Sequence, residues 1–386
     1  MDKQDGCQPA YKRVEGDCVR VFVQPGEGVT PLIKAIQHAK KSIDILIFRF
    51  DRADIEKALL SAASRGVAVR ALIAYTNRGG EKHLRELEMR LLAEGVTVAR
   101  TADDLARYHG KMMIVDRAEL YLLAFNFVSL DIERSRSFGA VTRDPALVRE
   151  AVKLFEADSH RQAYSAGSAN LIVSPVNARR ELEAFIKKAK KELLIYDPHV
   201  SDPAIIRLLE ERAEAGVSIR IIGRLTRKSP GVSVHKLSSM RLHTRAICRD
   251  SQWVFLGSQS LRTAELDARR EVGAMFKSPQ AVKLIASVFE KDWCDAEKAR
   301  AEGAAETPPA ARVAKKVAKA VTKTLPPVGP TLEIAVREVV GREIEIPLDG
   351  EELEGTVRQA VVQAVKDVVR DAVQEIVEQD DSVPTP

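Results

Sequence analysis

The sequence predicts a duplicated α/β fold, and three observations carry that prediction. AKKSIDILIF, beginning at Ala39, returns as AKKELLIY beginning at Ala189, an offset of 150. The same offset maps RGVAVR (Arg65 to Arg70) onto AGVSIR (Ala215 to Arg220). Each copy also alternates in period: a helix ending in lysines, an apolar strand, a second helix, then Gly-Val and another apolar strand. Such repeats imply two homologous halves, each a mixed, largely buried sheet flanked by helices, related by a pseudo-twofold axis.

Beyond the second strand the copies diverge. The first carries EKHLRELEMRLLAEGVTVAR (Glu81 to Arg100), which reads as a helix and strand that the second mostly lacks, and the offset falls to 134. That register then holds: His109 matches His243, Asp116 matches Asp250 and Asn126 matches Ser260. The halves are accordingly bounded at 1–166 and 167–300. Residues 301–332 are rich in Ala, Pro and Lys and read as a linker with a short basic helix (Arg312, Lys315, Lys316, Lys319, Lys323). Residues 333–386 read as an extension with a strand, EIEIPL, and a helix from about Thr356. Val357, Val361, Ala364, Val365, Val368, Ala372 and Ile376 make an apolar stripe on that otherwise acidic helix, suited to self-association or a partner. The basic linker reads as a solvated spacer or as a grip on anionic lipid or nucleic acid.

At 386 residues the chain can bury two substantial cores. Its 60 Lys and Arg against 55 Asp and Glu leave a net +5, too little to mark a nucleic-acid binder but compatible with an anionic substrate or surface. No apolar run approaches the roughly 20 residues of a membrane span, and the polar start has no signal-peptide core. Cys7, Cys18, Cys248 and Cys294 lack metal-ligand spacing and read as free thiols, with a Cys7–Cys18 bridge as the alternative. The expected location is the cytoplasm, with peripheral contact to an anionic membrane.

Chemistry concentrates in YHGKMMIVD, where His109, Lys111 and Asp116 spell H-x-K-x4-D. Residues two apart on a strand share a face, so imidazole and ammonium project together. An imidazole is a nucleophile or proton carrier near neutral pH, and a cation beside it neutralises phosphate oxygens as charge builds. RLHTRAICRD repeats the spacing with His243, Arg245 and Asp250. Two such matches in one register point to a single phosphate-handling site rather than two core histidines. Arg49 and His199 hold equivalent places after the first strand of each half, where they line the pocket or are plain loop positions. His38, His83, His160 and His235 read as surface residues, and Trp253 and Phe255 as core. There is no P-loop, dinucleotide fingerprint or metal cluster, so neither metal nor cofactor is expected.

On these motifs the sequence resembles the phospholipase D superfamily over roughly residues 20 to 295, with two HKD motifs in one chain as in cardiolipin synthase-like proteins. In that family a G-S-x-N element and then an N-x-E element follow each motif. Here the first half has LAFN (Leu123 to Asn126) and SRS (Ser135 to Ser137), the second GSQS (Gly257 to Ser260) and RRE (Arg269 to Glu271). The resemblance implies a metal-independent reaction. One motif histidine attacks phosphorus, giving a phosphohistidine; the other protonates the leaving alkoxide and then activates water or an alcohol. It also implies that Lys111, Arg245, Asn126, Ser258 and Ser260 hold phosphate oxygens, while Asp116 and Asp250 tether the motif strands.

Several positions depart from the family pattern. Arg245 replaces lysine, Ser260 replaces asparagine, the first half lacks the Gly-Ser pair, and Ser137 stands where glutamate is usual. If each half's carboxylate orients the other half's histidine, Glu271 holds the far nitrogen of His109 and His243 lacks the equivalent partner. His109 is then the nucleophile and His243 the acid/base. The expected substrate is a phospholipid, by hydrolysis or phosphatidyl transfer. An endonuclease is the alternative, against which 5% aromatic content offers few stacking platforms. A weakly active or inactive phosphate-binding protein is the third reading. Fold alone does not choose among them.

Overall fold

The computed structural model describes residues 19–75 and 81–305. The chain divides into two units, Met1–Glu297 and Lys298–Pro386, and the first carries the repeat. Cys7, Cys18, the basic cluster and the C-terminal strand and helix expected from the sequence lie outside the described residues.

The first half runs β1 (Val19–Gln24), α1 (Thr30–His38), β2 (Ser42–Ile47), α2 (Ala53–Ser64), β3 (Ala68–Ile73), α3 (Glu81–Ala93), β4 (Thr97–Arg100), β5 (Arg107–Tyr108), β6 (Met112–Val115), β7 (Glu119–Leu123), α4 (Ser129–Glu133), β8 (Ser135–Thr142) and α5 (Pro145–Ser159). The second runs β9 (Leu171–Val173), α6 (Ala178–Lys187), β10 (Glu192–Val200), α7 (Pro203–Glu214), β11 (Ser218–Leu225), β12 (Val232–His235), β13 (Arg241–Leu242), β14 (Arg245–Arg249), β15 (Trp253–Gly257), α8 (Thr263–Asp267), β16 (Arg269–Arg270), β17 (Val272–Lys277) and α9 (Pro279–Ala305).

Local chemistry sets these boundaries. Pro at the first turn and an Asp cap open α5 and α7: Asp144 accepts the Ala146 N–H, and Asp202 those of Ala204 and Ile205. The Gly-Val of the repeat ends α2 and α7. Gly66 (φ 85) and Gly216 (φ 86) take the left-handed conformation just past each helix, and the chain turns into β3 and β11.

The two sheets have the same strand order. The first is β1-β8-β7-β6-β2-β3-β4 and the second β9-β17-β15-β14-β10-β11-β12. In each, the β2–β3–β4 or β10–β11–β12 pairings are parallel and the remainder antiparallel. One expectation is corrected here. The second half keeps the counterpart of β4 as β12, and only the α3 helix is missing; a four-residue strand with three half-buried positions and one exposed gave too weak an apolar signal.

Alternate residues of each strand enter different cores. Met112 and Ile114 join Leu194, Tyr196, Val254 and Leu256 in one core shared by both sheets with α5 and α9, whereas Met113 and Val115 face α1 and α2. Phe255 is buried, and half-buried Trp253 packs on the second half's own core. His38, His83 and His160 are exposed, and His235 is half-buried: on β12 it lies edge-on to Trp293, with ring centroids 4.1 Å apart. Cys248 is a buried free thiol and Cys294 an exposed one.

Candidate active site

Short crossing strands bring the motifs together. β5, just before His109, pairs in parallel with β16 of the other half; β13, just before His243, pairs in parallel with β8. The crossing continues at the histidines. The His109 N–H donates to Arg270 O (2.7 Å), and the His243 N–H to Arg136 O (3.1 Å). Each motif histidine is thus fastened to the backbone of the opposite half.

The motif aspartates sit behind the strands. The Asp116 carboxylate accepts the backbone N–H groups of Lys40, Lys41 and Ser42, and Asp250 those of Lys190, Lys191 and Glu192. Both residues turn sharply, at φ 53. The AKK segments recognised as a repeat are therefore where each motif strand is tied to its neighbour.

His109 is buried, with both ring nitrogens engaged. Nδ1 lies 2.9 Å from Glu271 Oε2 and 3.0 Å from Oε1, while Nε2 lies 2.8 Å from Lys111 Nζ. Burial, then Lys111 and Arg245, holds this imidazole well below its ordinary pKa, so it is neutral. The network then selects the tautomer: Nδ1–H donates to Glu271, and Nε2 keeps its lone pair toward Lys111. Lys111 also donates to His109 O (2.6 Å), and burial pushes the ammonium down to about 7, with Glu271 opposing the fall. Burial raises the Glu271 carboxyl, and Lys111 works against that rise.

His243 is supported differently. Ser137 is buried in place of a carboxylate and donates to Ala124 O (3.2 Å), the carbonyl that also accepts His243 Nδ1–H at 2.8 Å. A carbonyl orients the ring but adds no negative charge. Burial lowers the His243 pKa, opposed by Asp131, whose Oδ2 is 3.4 Å from Nε2. Arg245 donates to His243 O (2.6 Å), as Lys111 does to His109 O, and its Nε donates to Ser260 Oγ (3.0 Å). The two cations occupy equivalent places despite their different heads.

The small polar residues are less open to ligand than their motif positions imply. Ser258 is hydrogen-bonded with the Val272 backbone and with Glu271, steadying the carboxylate. Asn126 gives both its N–H and Nδ2 to Asp131 Oδ2, at 2.9 and 2.7 Å. Of the paired loop positions, His199 is at the end of β10, with Nε2 3.2 Å from Thr226 Oγ1, and Arg49 lies 5.8 Å from the Phe48 ring.

Sequence reasoning missed three residues here. Phe48 stands edge-on to His109 at 4.5 Å with Lys111 Nζ 5.4 Å from its ring, giving the imidazole a dry wall. Asp131 and Glu265 are buried acids that accept the backbone N–H of Asn126 and Ser260. The 134 offset relates these two acids and would have flagged them.

The site is thus a buried histidine pair, each flanked by a cation and joined across a duplicated α/β seam. The family profile described as cardiolipin synthase, PLD-like domain, matches residues 32–159 and 182–293, and the chain belongs to that family. Polyphosphate kinase of Pseudomonas aeruginosa is 25% identical over 256 residues, which are 59% of this chain and 35% of that protein. Mitochondrial cardiolipin hydrolase of Danio rerio is 26% identical over 130 residues, 33% of this chain and 56% of that one. The chain thus spans about a third of the kinase's length. Among solved structures, polyphosphate kinase from Porphyromonas gingivalis superposes with a TM-score of 0.61 at 18% identity, covering 71% of this chain and 50% of that one. Phosphatidylserine synthase of Haemophilus influenzae gives 0.54 at 13% identity, covering 72% and 86%. At these identities the likeness is one of fold. No helix of the described residues is long and apolar enough to cross a membrane.

Proposed function

We propose that the chain is a metal-independent phosphodiesterase or phosphatidyltransferase that works through a phosphohistidine on His109. The supporting observation is the pinning of that imidazole: Glu271 holds Nδ1 at 2.9 Å and leaves the nucleophilic lone pair on Nε2. Lys111, 2.8 Å away, transfers its hydrogen bond to a phosphate oxygen when a diester enters. Nε2 attacks phosphorus as the bond to the leaving oxygen breaks, and His243 supplies that oxygen with a proton. His243 then takes a proton from water or an alcohol, which attacks phosphorus and breaks the phosphorus–nitrogen bond. Arg245 and Ser260 lie beside His243 and hold the phosphate oxygens on that side. Phospholipid is the favoured substrate, in keeping with the family's description. The kinase relatives favour polyphosphate as the second reading.

The test is turnover in EDTA of phosphatidylglycerol vesicles, polyphosphate and plasmid DNA, comparing the wild type with His109→Ala. The expected outcome is lipid turnover that the variant lacks. Turnover of DNA or polyphosphate instead would move the substrate class, and activity surviving in His109→Ala would remove the nucleophile assignment.

A further inference from the structure

Asp131, in the short helix α4, is buried at 2% exposure inside the site. Its Oδ2 accepts Asn126 N–H and Nδ2 and lies 3.4 Å from His243 Nε2, while Oδ1 takes Arg241 Nη1 at 2.5 Å. On its other edge, His243 presents Nδ1 to the Ala124 carbonyl, which only accepts. The Asp131 contact is an ion-pair distance and not a hydrogen bond, so the carboxylate acts on Nε2 by its charge, favouring a proton there against burial and the neighbouring cations, which hold His243 well below its ordinary pKa. His109 is the reverse case, since its Nε2 faces an ammonium donor. The charged groups that act most on His243 are Asp131, Arg245, Lys111 and Arg241, and only Asp131 is an anion.

We infer that Asp131 is a positioning residue that favours the acid's proton on His243 Nε2, replacing from the opposite edge of the ring the carboxylate that the first half lacks at Ser137. This rests on the phosphodiesterase reading above. As the bond from His109 Nε2 to phosphorus forms and the phosphorus–oxygen bond breaks, the leaving oxygen takes the Nε2 proton, and Asp131 stays a carboxylate throughout. His243 is left with Nδ1–H on the Ala124 carbonyl and a lone pair on Nε2, the tautomer that accepts a proton in the second step. Glu265, the counterpart 134 positions on, is engaged otherwise. It accepts Ser260 N–H at 2.7 Å and faces Arg245, Arg262 and Arg269 at 3.8, 3.6 and 3.3 Å. Only one of the two related acids is thus paired with a motif histidine.

Nitrogen-15 NMR of histidine-labelled protein followed over pH tests this without any need for turnover. The His243 signals, assigned by their loss in His243→Gln, should gain the second ring proton at a lower pH in Asp131→Asn than in the wild type or in Asp131→Glu. A midpoint unmoved in Asp131→Asn overturns the inference, and where that variant fails to fold, so does a wild-type His243 that stays singly protonated down to the acid limit of the fold. Kinetics give the second arm, with alkyl p-nitrophenyl and dialkyl phosphodiesters. Asp131→Asn should slow dialkyl ester turnover on the order of 100-fold and p-nitrophenyl ester turnover less than about fivefold, since nitrophenolate leaves without an acid. Equal loss on both esters would mark a merely structural role and overturn the inference. No wild-type turnover of either ester would count against the phosphodiesterase reading and leave the NMR result to decide on Asp131.

Discussion

Glu271 and Ser137 occupy related positions 134 apart, yet they leave the two histidines with different chemistry. Glu271 adds negative charge behind His109 and fixes its tautomer; at Ser137 a hydroxyl merely steadies the carbonyl that holds His243. Glu271→Ala should therefore cut kcat on the order of 10³- to 10⁴-fold, as loss of an orienting carboxylate does in a triad. Ser137→Ala should stay within about threefold, because the Ala124 carbonyl remains in place. Equal losses in the two variants would mean that the asymmetry plays no part in turnover. Lys111 sets a pH limit of its own. Burial holds its ammonium down to about 7, so the free enzyme loses this charge as pH rises through that value. The expected profile of kcat/KM falls on the alkaline side with a limb near 7, since this parameter reports the free enzyme. Lys111→Arg should remove that limb, at some cost in rate, because a guanidinium does not titrate in this range. A limb that stays put in Lys111→Arg would belong to another group.

At the scale of elements, much of the architecture was legible because the duplication doubled each weak signal. SIDILI and ELLIY identified β2 and β10, and the Gly-Val pairs marked where α2 and α7 end. The H-x-K-x4-D spacing is legible for a physical reason. β6 and β14 place a carboxylate at their far ends, where it accepts three successive backbone N–H groups of the AKK turn. Elements with little apolar content did not announce themselves. β12 is short and half exposed, and the two-residue strands β5, β13 and β16 exist only because they pair across the halves. The support for His243 was hidden for a similar reason. A backbone carbonyl has no letter in the sequence, so the absence of glutamate at Ser137 was readable while the group that took over its hydrogen bond was not. Asp131 was passed over because an acid in a short helix looks like any solvated side chain until its burial is known.

The molecule as a whole depends on its seam, because each half completes the other's site. Besides the crossing strands, two buried arginines bridge the halves at related positions. Arg136 reaches Asp292 on α9 at 2.7 and 2.9 Å and donates to Gln24 O at 2.9 Å; Arg270 lies 3.2 Å from Asp158 on α5 and donates to Ser174 O at 3.1 Å. These same arginines offer the carbonyls that hold the two motif histidine N–H groups, so the pairs link seam cohesion to site geometry. Removing one partner of a buried pair leaves an uncompensated charge and costs about 3–5 kcal/mol. Asp292→Ala should therefore lower the melting temperature by several degrees and reduce turnover with it, since Arg136 carries the His243 contact. Replacing both members, Arg136→Met with Asp292→Leu, removes the stranded charge and should recover part of that stability. Recovery should be incomplete, because the Tyr196 hydroxyl also donates to Asp292, at 2.7 Å, and would be left unpaired. A melting temperature unchanged in Asp292→Ala, or a double variant as unstable as the single one, would show that apolar packing between the sheets holds the seam without these charges.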